Sequence, residues 1–168
     1  MRNVLVSLIV VAACSAQAEK IPRFQVNGHD SHKPARPTAY VFLGTTCPTT
    51  QMYLGRVAAL DKQFGEKVTF VYLYPNVTDA PEAKKAHFAK LGVHGLFVDD
   101  QGAKIAKRVG AQRTTEVIVI DKKSNIVYRG AIDDNKEERR VARRHLAVAL
   151  DEVLAGKKIG TPKTDVHA

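Results

Sequence analysis

The chain has 168 residues, 45% hydrophobic and 26% charged, with a formal net charge of +9. That length suits one domain whose core stands without staples, and the balance of apolar and charged residues excludes a disordered or repetitive chain. The basic residues are dispersed apart from KEERRVARRH (136–145), where two glutamates intervene. This reads as a solvated helix face, compatible with weak attraction to anionic surfaces, and no nucleic-acid partner is expected.

In chain order, Arg2 followed by the apolar VLVSLIVVAA (4–13) has the pattern of a signal peptide, and AQA (16–18) supplies a small-x-small cleavage site before Glu19. The apolar run is shorter than the roughly 20 residues a spanning helix needs. Two other readings stand beside it. VAAC (11–14) resembles a bacterial lipobox, which would make Cys14 a lipid anchor, and the segment also reads as a buried N-terminal helix. The expected organisation is a signal at 1–18 (or a lipoprotein signal ending before Cys14), an extended segment at 19–37, one domain at 38–159 and a polar tail at 160–168. Export would place the protein in the periplasm or on the envelope of a bacterium.

Within the domain, AYVFLG (39–44) predicts a buried strand, and CPTTQMYLGRVAALDKQFG (47–65) predicts a helix from the spacing of Met52, Val57, Leu60 and Phe64, with Gly65 as its stop. KVTFVYLYP (67–75) predicts a second buried strand. DAPEAKKAHFAKLGV (79–93) predicts a second helix, with Asp79 as N-cap, Pro81 in the first turn and an end near Gly92. A short strand (95–98), a short helix (101–110) and a hairpin (116–121 with 126–131, turning at Lys123-Ser124-Asn125) follow. A last helix is expected over 136–155, with Val141, Leu146, Ala149, Leu150 and Val153 on one face. The first two strands flank a helix, which favours a parallel pair, and the late hairpin adds antiparallel strands. The predicted architecture is α/β and thioredoxin-like, a central mixed sheet flanked by helices.

Chemistry concentrates at LGTTCPTTQMY (43–53). Cys47 ends a strand and opens a helix, where free N–H groups and the helix dipole favour a thiolate. Pro48 fits the first turn, and Thr45, Thr46, Thr49 and Thr50 are candidate hydroxyl donors to the sulfur. Tyr53 lies too far along the helix for clear contact with it. The competing reading is a buried packing cysteine. Loss of Cys14 by cleavage, or its lipidation, leaves Cys47 as the one free thiol, and Thr50 stands where a second cysteine would complete a dithiol pair. An internal dithiol cycle is therefore excluded. A sulfenic acid followed by a mixed disulfide, or capture of a client thiol, is not. Arg113 and Thr115 precede the strand expected to face the sulfur, and Glu116 follows Thr115. Arg113 reads either as a thiolate-stabilising, peroxide-orienting group or as a solvated loop residue, and Glu116 as a proton acceptor or, more simply, a solvent-facing carboxylate.

TTCPTTQMY, YLYPNVTDAPEAKKAHFAKLGV, RTTEVIVIDKKSNIVYRGAIDD and LAVALDEVLAGKKI together resemble the exported branch of the redoxin group, the alkyl hydroperoxide reductase and thiol-specific antioxidant superfamily, over most of 38–159. The resemblance implies a thioredoxin fold with its reactive cysteine at Cys47. Four departures stand out. Thr50 replaces the second cysteine, and Thr115 occupies the place of a cis-proline, which would open the site to metals. The tail carries no cysteine, and Gly44 stands where peroxiredoxins carry a threonine. The expected function is that of an exported, single-cysteine thiol oxidoreductase. It would act without a cofactor on a thiol or peroxide, or on a thiol-bearing protein. The alternative is a thioredoxin-fold binding module or copper chaperone that has lost turnover, its metal held by His29, His32 and Cys47. His87, His94 and His145 read as ordinary surface residues. NVT (76–78) would be a glycosylation acceptor only in a eukaryotic secretory pathway.

Overall fold

The computed structural model describes residues 18–166, so the signal and lipobox readings at 1–17, Cys14 included, lie outside the described residues. A five-stranded sheet forms the centre. Its strands are β3 (Thr38–Phe42), β4 (Thr69–Tyr74), β5 (Leu96–Asp99), β6 (Val117–Ile120) and β7 (Ile126–Gly130), in the order β5-β4-β3-β6-β7. β4 runs parallel to both β3 and β5, while β6 is antiparallel to β3 and to β7. The mixed sheet and its thioredoxin-like plan agree with the sequence reading.

The connections decide which face each helix covers. α1 (Pro48–Phe64) and α2 (Pro81–Leu91) carry successive parallel crossovers in one direction, so they pack on the same face. There Tyr53, Val57, Phe64 and Leu91 meet Ala39, Val41, Phe70 and Tyr72, joined by Leu146, Ala149 and Leu150 of α4 (His145–Leu154). The other face, with Tyr40, Phe42, Val71 and Ile118, is covered by Ala106 and Val109 of α3 (Lys104–Val109) and by Ile21 and Phe24. Both faces of β3 are therefore dry, and all five of its residues are buried, which is why the strand reads as a continuous apolar run.

Three segments differ from the sequence reading. The lead-in is a hairpin, β1 (Gln25–Val26) against β2 (His29–Asp30), turning on Asn27 and Gly28 at φ 47° and 79°. Asn-Gly is a strong turn signal, and the flanking Ile21 and Phe24 are the apolar anchors that bury it. The last helix begins at His145, and residues 136–144 form a loop holding only the short turn Glu138–Arg140. Polar bonds to neighbouring segments hold that loop against helix formation. Asp134 accepts the Ala142 N–H (3.0 Å), and its own N–H reaches the Arg143 carbonyl (3.1 Å). Arg56 of α1, lying 3.7 Å over the Tyr53 ring, binds Asp133 (2.6 Å) and the carbonyls of Asn135 and Lys136. The Tyr53 hydroxyl donates to Asp133 as well (3.1 Å), which places it away from the sulfur. In the tail, Thr164 exchanges bonds with the sheet edge at Arg129, Tyr128 and Ala131. Gly130 passes so close to Thr164 that no side chain would fit there.

Candidate functional site

Cys47 is the N-cap of α1. Its backbone is extended, at φ −72° and ψ 119°, and its carbonyl accepts the Gln51 N–H at 3.1 Å. Pro48 follows as the first helical residue, where no hydrogen bond is lost. The first turn carries no acidic residue, so nothing in it opposes an anion. The sulfur is only partly exposed, and its nearest side-chain partner is the Thr114 hydroxyl, with Oγ1 3.0 Å from Sγ. Partial burial pushes the Cys47 thiol up. Against that, the Thr114 hydroxyl, then the N–H and hydroxyl of Thr50 and the N–H of Thr49 at the helix start, favour the thiolate, and the thiol sits below its ordinary value on balance. Hydrogen bonding to the charged form thus outweighs desolvation.

Thr114 reaches the sulfur because its neighbour is strained. Thr115 adopts φ +65°, a left-handed conformation that a β-branched residue avoids, at a cost of about 1–3 kcal/mol. Surrounding bonds hold it there. The Thr115 N–H donates to the Phe42 carbonyl at 2.6 Å, and Glu116 accepts the N–H groups of Gln112 (2.8 Å) and Arg113 (3.3 Å) and an N–H of the Arg129 guanidinium (3.3 Å). On the other side, Gly44 leaves the space Thr114 fills. A Cβ at 44 would lie 3.2 Å from the Thr114 methyl and 3.4 Å from Cys47 Cβ. The loss of a side chain at 44 and the approach of Thr114 from across the sheet are two sides of one arrangement.

Several sequence-predicted roles change. Thr115 is buried at φ +65°, and the hydroxyl that meets the sulfur is that of its neighbour Thr114. No cis peptide bond occurs among the described residues. Glu116 is buried and anchors the loop, where the sequence favoured a solvent-facing carboxylate. Arg113 is exposed and its guanidinium contacts the Val166 carbonyl (3.4 Å), so it is not one of the sulfur's partners. Thr46 is exposed and likewise not a partner. Thr50 lies in the first turn of α1, and its buried hydroxyl accepts the Gly44 N–H at 3.3 Å. Asp79 does not cap α2, whose N-cap is Ala80. It turns back to accept the Thr45 N–H at 2.8 Å and so fixes the loop before Cys47. Thr114 and Asp79 are the residues sequence reasoning missed. The signal for Thr114 was its place in RTTE, one residue from the position that was singled out.

The metal alternative does not assemble. His29 Nε2 lies 2.8 Å from the Tyr40 hydroxyl, and His32 Nε2 lies 2.6 Å from the Ile21 carbonyl, on the sheet face opposite α1. Among the described residues no group of three His, Cys, Asp or Glu side chains is placed to hold an ion.

Fold and site together define a thioredoxin-fold protein with one thiol poised at a helix start. The Redoxin family model matches residues 16–146, and the chain belongs to the redoxin family, with a function of the thiol-oxidoreductase type in general terms. Among curated proteins, none matches the sequence. Of solved structures, an uncharacterized conserved protein from Geobacillus kaustophilus superposes with TM-score 0.77 at 22% identity, over 88% of this chain and 87% of that one. A hypothetical protein from Sinorhizobium meliloti 1021 does so with TM-score 0.76 at 21% identity, over 89% and 90%. A thioredoxin-like protein determined in its oxidized form gives TM-score 0.66 at 16% identity, over 83% and 97%. At these identities the likeness establishes the fold.

Proposed function

We propose that the protein is an exported thiol oxidoreductase of the peroxiredoxin-like kind that works through Cys47 alone. The observation that carries this reading is the sulfur at the start of α1, partly exposed, held below its ordinary pKa and met by Thr114 at 3.0 Å. The thiolate attacks the terminal oxygen of a hydroperoxide, the O–O bond breaks, and Cys47 becomes a sulfenic acid while the departing alkoxide takes a proton. A thiol, small or on a partner protein, condenses with the sulfenic acid to give a mixed disulfide and water. A second thiol then displaces Cys47 and leaves with the first as a disulfide. Thr114 and the helix N–H groups serve as donors to the sulfur anion at the start and at the end of this cycle. Thr50, with its hydroxyl engaged in the site, supports the external route, since no second sulfur stands there.

The test is the pH dependence of Cys47 alkylation on the mature protein, with C47S as blank. A midpoint well below about 8.5, the ordinary thiol value, is expected, together with mixed disulfides trapped after peroxide treatment. A midpoint at or above that value, or labelling only on unfolding, overturns the catalytic reading in favour of a binding module.

A further inference from the structure

We propose that His87 is a positioning residue for the Cys47 loop, its neutral imidazole fixing the Thr45 carbonyl through Gln51, so that protonation of His87 loosens the segment that leads into the thiol. The inference rests on Cys47 being the reactive group. His87 lies on α2 and is half-buried. Its Nδ1 is 2.9 Å from the Tyr74 hydroxyl, with the two rings edge-on at 5.6 Å, and its Nε2 is 3.1 Å from Gln51 Nε2. The same Gln51 nitrogen is 2.9 Å from the Thr45 carbonyl. A carboxamide nitrogen has two N–H groups and accepts nothing. One therefore goes to Thr45 and the other to His87, whose Nε2 must be a bare acceptor. The proton of the neutral ring then sits on Nδ1 and points at Tyr74.

The chain reaches the site at once. Gln51 is the residue whose N–H closes the first turn of α1 on the Cys47 carbonyl. Thr45 is held at both ends, its N–H by Asp79 and its carbonyl by Gln51. A second proton on His87 sets an N–H against the Gln51 NH2 group. Gln51 then either separates from the ring or turns its amide over to present oxygen, and turning over takes its nitrogen from Thr45. Both movements weaken one of the two holds on the approach to Cys47.

The surroundings set where this happens. Burial lowers the His87 pKa, the Asp79 carboxylate ahead of α2 opposes that, and the Lys90 ammonium on α2 adds to it. From β4 the group facing it is Tyr74, whose buried phenol is pushed far up and stays un-ionised. From α1 it is the uncharged Gln51. His87 therefore takes up its proton at a midpoint below the ordinary imidazole value, and the hold, present at neutral pH, is lost as pH falls through that lowered midpoint.

The test follows the backbone amides of Thr45 and Cys47 and the imidazole of His87 by NMR between about pH 5 and 8, above the ordinary carboxylate range, in the wild type and in Q51L, an exposed helical position. In the wild type both amides shift with the midpoint of the imidazole. In Q51L the imidazole still titrates and the amides stay flat. In parallel, the logarithm of the alkylation rate falls with pH more steeply than one per unit through that midpoint. The excess is about threefold, half a pH unit in the thiol, and it is absent in Q51L and in H87F, which keeps a ring against Tyr74. Amides that ignore the His87 titration, or that follow it equally in Q51L, overturn the proposal. The amide readout does not use the sulfur's reactivity, so an ordinary, unreactive Cys47 would bear on the functional reading alone.

Discussion

The N-terminal hairpin and the loop before β6 look alike in sequence, both short, polar and rich in hydrogen-bonding side chains, yet the structure uses them differently. The hairpin turns on Asn27 and Gly28, residues that take positive φ readily, and its histidines close onto Tyr40 and the Ile21 carbonyl. It is a relaxed cover for one face of the sheet. The loop turns on Thr115, which resists positive φ, and it is kept there by a buried carboxylate on two N–H groups and an arginine. What that strain produces is the Thr114 hydroxyl at the sulfur. The strain at Thr115 belongs to the site, and the relaxed Asn-Gly turn belongs to the scaffold.

The largest expected break in this contrast comes from Glu116. E116A leaves the Gln112 and Arg113 N–H groups without their acceptor and removes the carboxylate paired with Arg129. We expect about 2–4 kcal/mol of lost stability by urea unfolding, since a buried donor set loses its acceptor. D30A in the hairpin removes a carboxylate that also accepts three bonds, from Arg23, Gln25 and His32, but its partners are exposed, and the cost should be clearly smaller. Equal losses would mean that the loop is no more tightly determined than the hairpin.

Much of the frame was legible because it follows from local pattern. β3, β4 and β6 are dry on both faces and so read as apolar runs. The parallel crossover through α1 follows from strand, helix and strand in succession, and Cys-Pro at a strand end locates the thiol. What escaped the sequence depends on partners far away along the chain. KEERRVARRH has helical composition, yet Asp134 and Arg56 hold the segment before α4 as a loop. Asp79 has the identity and place of an N-cap, and only the fold shows that the Thr45 N–H takes its carboxylate. Thr114 and Thr115 differ by one position, and which one meets the sulfur depends on a backbone angle that no propensity favours.

A sharper measure of the same contrast is T114V, which keeps the shape of the side chain and removes its hydroxyl. The Thr49 and Thr50 N–H groups remain, so the thiolate stays partly stabilised. The loss of one hydrogen bond to a charged sulfur should raise the Cys47 alkylation midpoint by about one pH unit, with little change in unfolding free energy. An unmoved midpoint would make the 3.0 Å contact incidental and return the low thiol pKa to the helix start alone.

The smallest effect is expected in the hairpin. His29 is held below its ordinary value of 6.5 by burial, with the Asp30 carboxylate opposing in part. As pH falls below about 6.5 the unfolded chain takes up a proton there that the folded chain refuses, so folding loses stability through that window, down to the folded midpoint. H29F keeps a ring edge-on to Tyr40, where the two rings now lie 5.8 Å apart, and cannot ionise. It leaves the Tyr40 hydroxyl without its partner, at a cost of about 1 kcal/mol at neutral pH. Between neutral pH and pH 5 its stability should then fall less than that of the wild type, the remaining fall belonging to His87, which is lowered in the same sense. The Cys47 alkylation midpoint should not move. If it moves as far as in T114V, the hairpin acts on the thiol through β3, and scaffold and site are one unit.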